Sequence, residues 1–482
     1  MSIIDQAYDS KVFRKTGHQL VDQIADHLER TISRGKEKVY PHYDPEMLFK
    51  SWNNGDLLSQ DAPVADFFQL VMDMSVDHHH FADMGHQVTP TAMVSVLSEM
   101  VSAYTNCGMG VYEVGPLPVV LEKWTINFMG STFGLPETEG VLTSGGTLGN
   151  LTALLAARQA MIAEDVWNEG LGEKRYGFMI SEEAHYSVER AVKIMGLGEA
   201  GLIKVPVNDQ FQMDTSHLLE CYNEAIDAGI QVLGVIGSSC STATGSFDDL
   251  DAIASFCAEH KLWFHVDAAH GGAAIFSDQY KHLVKGIERA DSIIIDFHKM
   301  LLTPSLATAV LFKQAASSYN TFNPKAQYLW SDDQQREWYN LANRTFECTK
   351  PMLSVRIYSL LHAHGPDLWA EYVERQFDLG RTFGEILDAE PDFDLPHQPE
   401  CNLVCFRYRP NHLSESELDR LNVIIRKEIL KEGRFYIVQT TLQNQTYLRV
   451  SLMNPFTTAE DLEGLLTAVR GAGSKALVTV TN

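Results

Sequence analysis

The chain has 482 residues, 45% of them hydrophobic and 21% charged, with a formal net charge of −25. This length and balance exclude a disordered or fibrous chain and allow two or three folded units. The acidity excludes a protein whose main partner is nucleic acid or an anionic membrane, because both require clustered Lys and Arg.

The first residues, Met1-Ser2-Ile3-Ile4-Asp5-Gln6, lack a basic region followed by an apolar core, and no stretch has the roughly 18 apolar residues of a membrane span. A cytoplasmic protein is the expectation. Residues 1–75 form a helical segment, in which apolar residues from Val12 to Ala25 recur at three- and four-residue steps. So short an extension buries little core alone, which predicts that it packs on the rest of the molecule or on a second subunit. The run His78-His79-His80 looks like a metal cluster. Consecutive residues converge poorly on one ion, so solvated or structural roles are expected and no metal site is assigned.

From Gly140 onward, short β-rich runs alternate with helical ones, the pattern of strands joined by crossover helices in a mainly parallel sheet. Strands are predicted over Gly177–Ile180, Leu202–Val205, Gln231–Ile236, Leu262–Val266 and Ser292–Ile295. A helix between the third and fourth starts at Asp248 or Asp249 as N-cap and carries Leu250, Ile253, Ala254 and Cys257 on one face. Together these predict an α/β domain over residues 76–355. Past about residue 356 the order becomes a helical region, a strand over Asn402–Tyr408, a helix near residues 415–432, a strand over Thr446–Leu452 and a helix near Ala459–Val469. That order predicts a small α+β domain over residues 356–482. The seven cysteines are scattered without a Cys-x-x-Cys pair and read as reduced core residues.

In open α/β sheets ligands collect at the carboxyl ends of strands. Asp267 directly follows the Leu262–Val266 run, in His265-Val266-Asp267-Ala268-Ala269-His270-Gly271. A lone Asp there is more often a helix cap, but its small neighbours would let a flat ring lie close to the chain. Lys299 follows the next apolar run, in Asp296-Phe297-His298-Lys299, one crossover away and on a neighbouring strand end. A lysine in that position is ordinarily a solvated surface group. Together, a carboxylate for a pyridine nitrogen and an amine for a Schiff base suit pyridoxal phosphate (PLP).

Thr143-Ser144-Gly145-Gly146-Thr147-Leu148-Gly149-Asn150 precedes the helical run Leu151–Met161. Such a glycine-rich helix start exposes backbone N–H groups to an anion, and a plain glycine turn with a Thr cap is an equal alternative. No Gly-Lys-Ser/Thr closes it, so it is not a Walker loop. His185, just after another strand, could stack on a cofactor ring or be a simple loop residue.

These segments, in this order, resemble the group II PLP-dependent amino-acid decarboxylases of fold type I, the aspartate aminotransferase-like fold. The likeness runs from Phe13-Arg14-Lys15-Thr16-Gly17 through Thr143–Asn150, His185, His265–Gly271 and His298-Lys299 to Leu448-Arg449-Val450-Ser451-Leu452-Met453-Asn454-Pro455. It implies that Lys299 forms the Schiff base with PLP, Asp267 pairs with the pyridine nitrogen and Ala269 packs against the ring. It also implies that His185 stacks on the opposite ring face, that Gly146, Thr147 and His298 lie near the phosphate, and that Thr242 lies near the ring hydroxyl. Asn323-Pro324-Lys325-Ala326-Gln327-Tyr328-Leu329 resembles the family's mobile loop, which makes Tyr328 the acid that protonates the substrate carbon, working across the interface of a homodimer.

The resemblance thus implies decarboxylation of an L-amino acid to its amine and CO₂. Asp296–Lys299 and Leu452–Pro455 look most like diaminobutyrate decarboxylases, whereas Phe13–Asp22 looks more like the aromatic enzymes. His270 stands where relatives often carry Tyr or Trp. Two other readings stay open: a different fold type I reaction (aminotransferase, lyase or oxidative deaminase), and a catalytically silent homologue that acts as a binding protein.

Overall fold

A computed structural model describes residues 2–59, 61–322, 337–411 and 413–480. The chain divides into two compact units, one of Met1–His86, Thr382–Pro396 and Cys405–Asn482, the other of Gln87–Arg381 and His397–Val404.

The second unit is built on a seven-stranded sheet. Its strands are β1 (Glu139–Thr143), β2 (Arg175–Ser181), β3 (Leu202–Val205), β4 (Ile230–Ser238), β5 (Trp263–Asp267), β6 (Ser292–Asp296) and β7 (Thr308–Phe312), in the order β1-β7-β6-β5-β4-β2-β3. The pairs from β6 through β5, β4 and β2 to β3 are parallel, and β7 is antiparallel to both β6 and β1. All five predicted strands are present. The alternation of strand and helix does not reveal β1 or β7. β7 returns from β6 without an intervening crossover helix, which a parallel connection would need, so it runs the other way.

β4 to β7 are almost wholly buried, because helices cover both faces of a mostly parallel sheet. The helix Gly146–Met161 crosses one face and buries Ala153, Leu154, Ala156 and Ala157 against Phe178, Trp263, Ile294 and Val310. A Cβ at Gly149 would lie 3.1 Å from the Thr308 methyl and 3.3 Å from Ile294 Cγ2, so the absent side chain is what lets this helix lie close to the sheet. Asp249 caps the helix Leu250–His260 through the Ala252 N–H. Asp248 turns inward instead, accepting the Met213 and Ser238 N–H groups at 2.7 and 2.8 Å, and burial raises its pKa to about 6.

The first unit contains the helix Ser10–Ile32 and, apart from Leu403 and Val404, a four-stranded sheet of β8 (Phe393–Asp394), β9 (Leu403–Tyr408), β10 (Val438–Leu442) and β11 (Gln445–Ser451), ordered β10-β11-β9-β8. The helix Glu415–Glu432 buries Leu418, Leu421, Ile425 and Ile429, three or four residues apart, and packs on the helix Ala459–Val480. His78 Nδ1 sits 2.7 Å from Asp83 Oδ2, while His80 contacts the Lys36 carbonyl through Nε2 at 2.9 Å and accepts the Ala82 N–H on Nδ1. These two histidines of the triple run therefore have structural roles. Among the described residues, no helix is long and apolar enough to cross a membrane.

Candidate active site

Six of the seven strands in the large sheet point one way, so the residues that end β1, β2, β4, β5 and β6 share one edge. Asp267 closes β5 and is 8% exposed. Its Oδ1 accepts the Ala269 N–H at 3.2 Å and its Oδ2 accepts the Asn150 amide at 2.8 Å. The next turn, a 3₁₀ segment over Gly271–Phe276, has no side-chain cap, so Asp267 does not serve as one.

Lys299 lies three residues beyond β6, with its Nζ 3.3 Å from Asp296 Oδ2. Backbone bonds tie the two strand ends together: Ala268 N–H donates to Ile294 O at 3.0 Å and Asp296 N–H to Ala269 O at 3.2 Å. Asp296 also accepts the Thr308 hydroxyl, and a Cβ at Gly146 would stand 3.2 and 3.3 Å from its two oxygens. The start of the helix Gly146–Met161 is thereby pressed against the Lys299 loop. Gly145 (φ +108°) is the N-cap and no side chain caps the helix, so its first N–H groups, at exposed Thr147, are offered to an anion. His298 is 8% exposed, with Nδ1 against the Ala307 peptide and Nε2 3.7 Å from Asp296 Oδ2.

His185 is the N-cap of the helix Tyr186–Ile194, and its Nδ1 accepts the Ser187 N–H at 3.3 Å. Burial pushes its pKa down; the Asp267 carboxylate pulls it up and the Lys299 ammonium pushes it down again. Groups from the ends of β2, β5 and β6 thus act on one another within a single site. Thr242 is half-buried in the turn after β4, on a loop whose Ser239 N–H donates to the Asp267 carbonyl at 2.8 Å. Ala269 is half-buried beside Asp267. Tyr328 lies outside the described residues.

Among the described residues, three side chains without a predicted role join the site: Asn150, Ser187 and His265. His265 is fully buried, with Nε2 3.0 Å from Asn150 Oδ1 and Nδ1 2.8 Å from Ser292 Oγ. Burial depresses its pKa to about 4. Alternation along a strand puts Trp263, His265 and Asp267 on one face, the face that the Asn150 helix covers. That spacing was a usable signal for His265. His270, on the loop beyond, is 2% exposed and bonds Asn402 Oδ1 through Nε2 at 2.8 Å.

Residues 60–409 match the model of the pyridoxal-dependent decarboxylase conserved domain. The chain belongs to that family. It is 33% identical to the L-aspartate decarboxylase dtxS4 of Metarhizium robertsii, over 70% of this chain and 68% of that protein. It is 28% identical to an L-2,4-diaminobutyrate decarboxylase of Acinetobacter baumannii, over 83% of this chain and 81% of that one. A crystal structure of the glutamate decarboxylase domain of a Vibrio parahaemolyticus diaminobutyrate-pyruvate transaminase and L-2,4-diaminobutyrate decarboxylase superposes with a TM-score of 0.84, at 25% identity and 96% coverage of each chain. The protein is a PLP-dependent amino-acid decarboxylase with the α/β fold of its relatives. The residues of this candidate site fit the cofactor: a buried carboxylate at a strand end, a lysine amine on the next strand end and an uncapped helix start alongside.

Proposed function

We propose that the protein decarboxylates a short L-amino acid with a polar side chain, of the four-carbon size of aspartate and 2,4-diaminobutyrate. The relatives named for those substrates, at 33% and 28% identity, support this size class. The likeness of Asp296–Lys299 and Leu452–Pro455 to diaminobutyrate enzymes supports it too. The observation that carries the site assignment is the juxtaposition of Asp267 and Lys299 on adjoining parallel strand ends with His185 in electrostatic reach of both.

In this reading the Lys299 amine would hold the cofactor by its aldehyde. Asp267 would pair with the pyridine nitrogen, since its bonds from Asn150 and Ala269 leave lone pairs for that contact. Ala269 and His185 would line the ring, Thr242 would serve the ring hydroxyl, and Gly146, Thr147 and His298 would hold the phosphate. Bound PLP supplies the electron sink that accepts the pair left on the α-carbon when CO₂ departs. Tyr328, outside the described residues, would deliver the proton to that carbon. His185, kept neutral by burial, is an uncharged ring surface rather than a competing cation.

A homodimer with the site at its interface is part of the same proposal. Its support is the exposure of four large apolar side chains, Ile3, Ile4, Val12 and Phe13, on the first two helices, which a second chain would cover. Cytoplasmic residence is supported by the unpaired state of Cys240 and Cys401, whose sulfurs lie 3.8 Å apart, a pair that an oxidising compartment would join.

The test is to supply the PLP-loaded protein with aspartate, 2,4-diaminobutyrate, glutamate, histidine and aromatic amino acids and to measure CO₂ and amine. The expected result is amine and CO₂ in equal amounts from a four-carbon substrate. Turnover of aromatic amino acids alone would overturn the substrate class, and keto acid or peroxide as product would redirect the reaction.

A further inference from the structure

The hydrogen bonds around Asn150 have only one consistent set of directions. Trp263 Nε1 can only donate, and it meets Ser292 Oγ at 2.9 Å. Asn150 Oδ1 can only accept, so His265 Nε2, 3.0 Å away, carries a proton. With its pKa depressed by full burial, His265 is neutral, so its Nδ1 accepts the Ser292 hydroxyl at 2.8 Å. The carbonyl of Asn150 is thereby held on His265, and both of its amide protons point the other way. One goes to Asp267 Oδ2 at 2.8 Å and the other to Ser187 Oγ at 2.9 Å. Ser187 Oγ accepts from Asn150, and the Ser187 backbone N–H donates to His185 Nδ1 at 3.3 Å, so that nitrogen is an acceptor and the Ser187 hydroxyl, 2.7 Å away, donates to it as well. His185 Nδ1 then has no room for a proton, and Nε2 must carry it. All of these groups except His185 are buried, so water does not compete for the bonds.

We propose that Asn150 is a positioning residue: one amide fixes the orientation of the Asp267 carboxylate and, through the Ser187 hydroxyl, the tautomer of His185. The proposal rests on the reading of Asp267 and His185 as the groups that face the cofactor. It gives the site a single control point between the acid at the ring nitrogen and the imidazole at the ring face. An amide is the side chain that suits this point, since it accepts on one side and donates twice on the other. Aspartate has the same shape with no donor, and it would set a second carboxylate against Asp267.

The test uses the full-length apoprotein as well as the PLP-loaded form. Nitrogen-15 histidine NMR of the apoprotein, at a pH where His185 is neutral, reads the tautomer directly, with His185→Gln to assign the resonance. The wild type is expected to hold one Nε2–H form. Asn150→Asp is expected to admit the Nδ1–H form, because Ser187 then turns its proton to the new carboxylate. In Ser187→Ala, Asn150→Asp is expected to leave the tautomer unmoved, since the connecting hydroxyl is gone. Titration of PLP into the apoprotein is expected to show about tenfold weaker binding for Asn150→Ala, the effect of removing one hydrogen bond to a charged group. That variant carries the affinity test even where Asn150→Asp does not fold. PLP affinity within about twofold of wild type for Asn150→Ala overturns the proposal. So does a His185 tautomer that Asn150→Asp leaves unchanged in the presence of Ser187. Failure of the underlying site reading looks different: Lys299→Ala and Asp267→Asn would then bind PLP as the wild type does, and the lysine-bound cofactor band would persist in Lys299→Ala.

Discussion

At the scale of single residues, the site combines groups that burial holds neutral with a carboxylate, Asp267, that accepts two hydrogen bonds. His265 shows the first kind. Full burial pushes its pKa from the ordinary 6.5 down to about 4. Between those values the unfolded chain binds the extra proton, so this residue's contribution to stability is present above 6.5 and is lost as the pH falls towards 4. His265→Asn removes that dependence. Urea unfolding across this window should show the stability gap between wild type and variant narrowing as acid is added, and a gap independent of pH would refute the neutral assignment. The role of Lys299 could be suspected from sequence, whereas that of Asn150 could not. Asn150 closes a glycine-rich motif and reads there as one more turn or cap residue. Its importance comes from partners 37, 115 and 117 positions away, and no local pattern encodes those distances.

At the scale of elements, the helix Gly146–Met161 brings the phosphate end and the Asn150 network to the same sheet edge. Gly145 enters it at φ +108°, where a side chain is strained, and a Cβ there would also lie 3.3 Å from Leu306 Cδ1. Gly145→Ala should cost about 1 kcal/mol or more in unfolding free energy and weaken PLP binding by apoprotein titration. Unchanged values for both would argue against this helix start as part of the site. β1, which feeds that helix, is anchored by a buried pair: Lys350 Nζ contacts Glu122 Oε1 at 2.6 Å and the Leu142 carbonyl at 2.5 Å, and Glu122 accepts the Leu142 N–H at 2.9 Å. Lys350→Met leaves that carboxylate buried without its cation and should destabilise the protein by about 3–5 kcal/mol. Adding Glu122→Gln should recover part of the loss in the same denaturation experiment.

At the scale of the whole molecule, the proposed dimer makes a simple prediction. Light scattering on the purified protein should give twice the chain mass of 54.0 kDa, and Phe13→Asp should shift it towards the monomer. A monomeric wild type would remove the interface from the functional proposal. The sequence by itself determined the parallel heart of the sheet, the helix Glu415–Glu432 and the candidacy of Asp267 and Lys299, because strand–helix alternation, 3.6-residue periodicity and residue chemistry are local properties. It also supported the family resemblance, because ordered motifs are themselves linear. Only the tertiary structure decided that residues 1–86 and 405–482 join one unit, that β7 reverses direction, and that Trp263, Ser292, His265, Asn150 and Ser187 form a directed chain ending on Asp267 and His185. The reason is physical: burial decides which polar groups must find partners, and the fold alone decides which partners are within 3 Å or so.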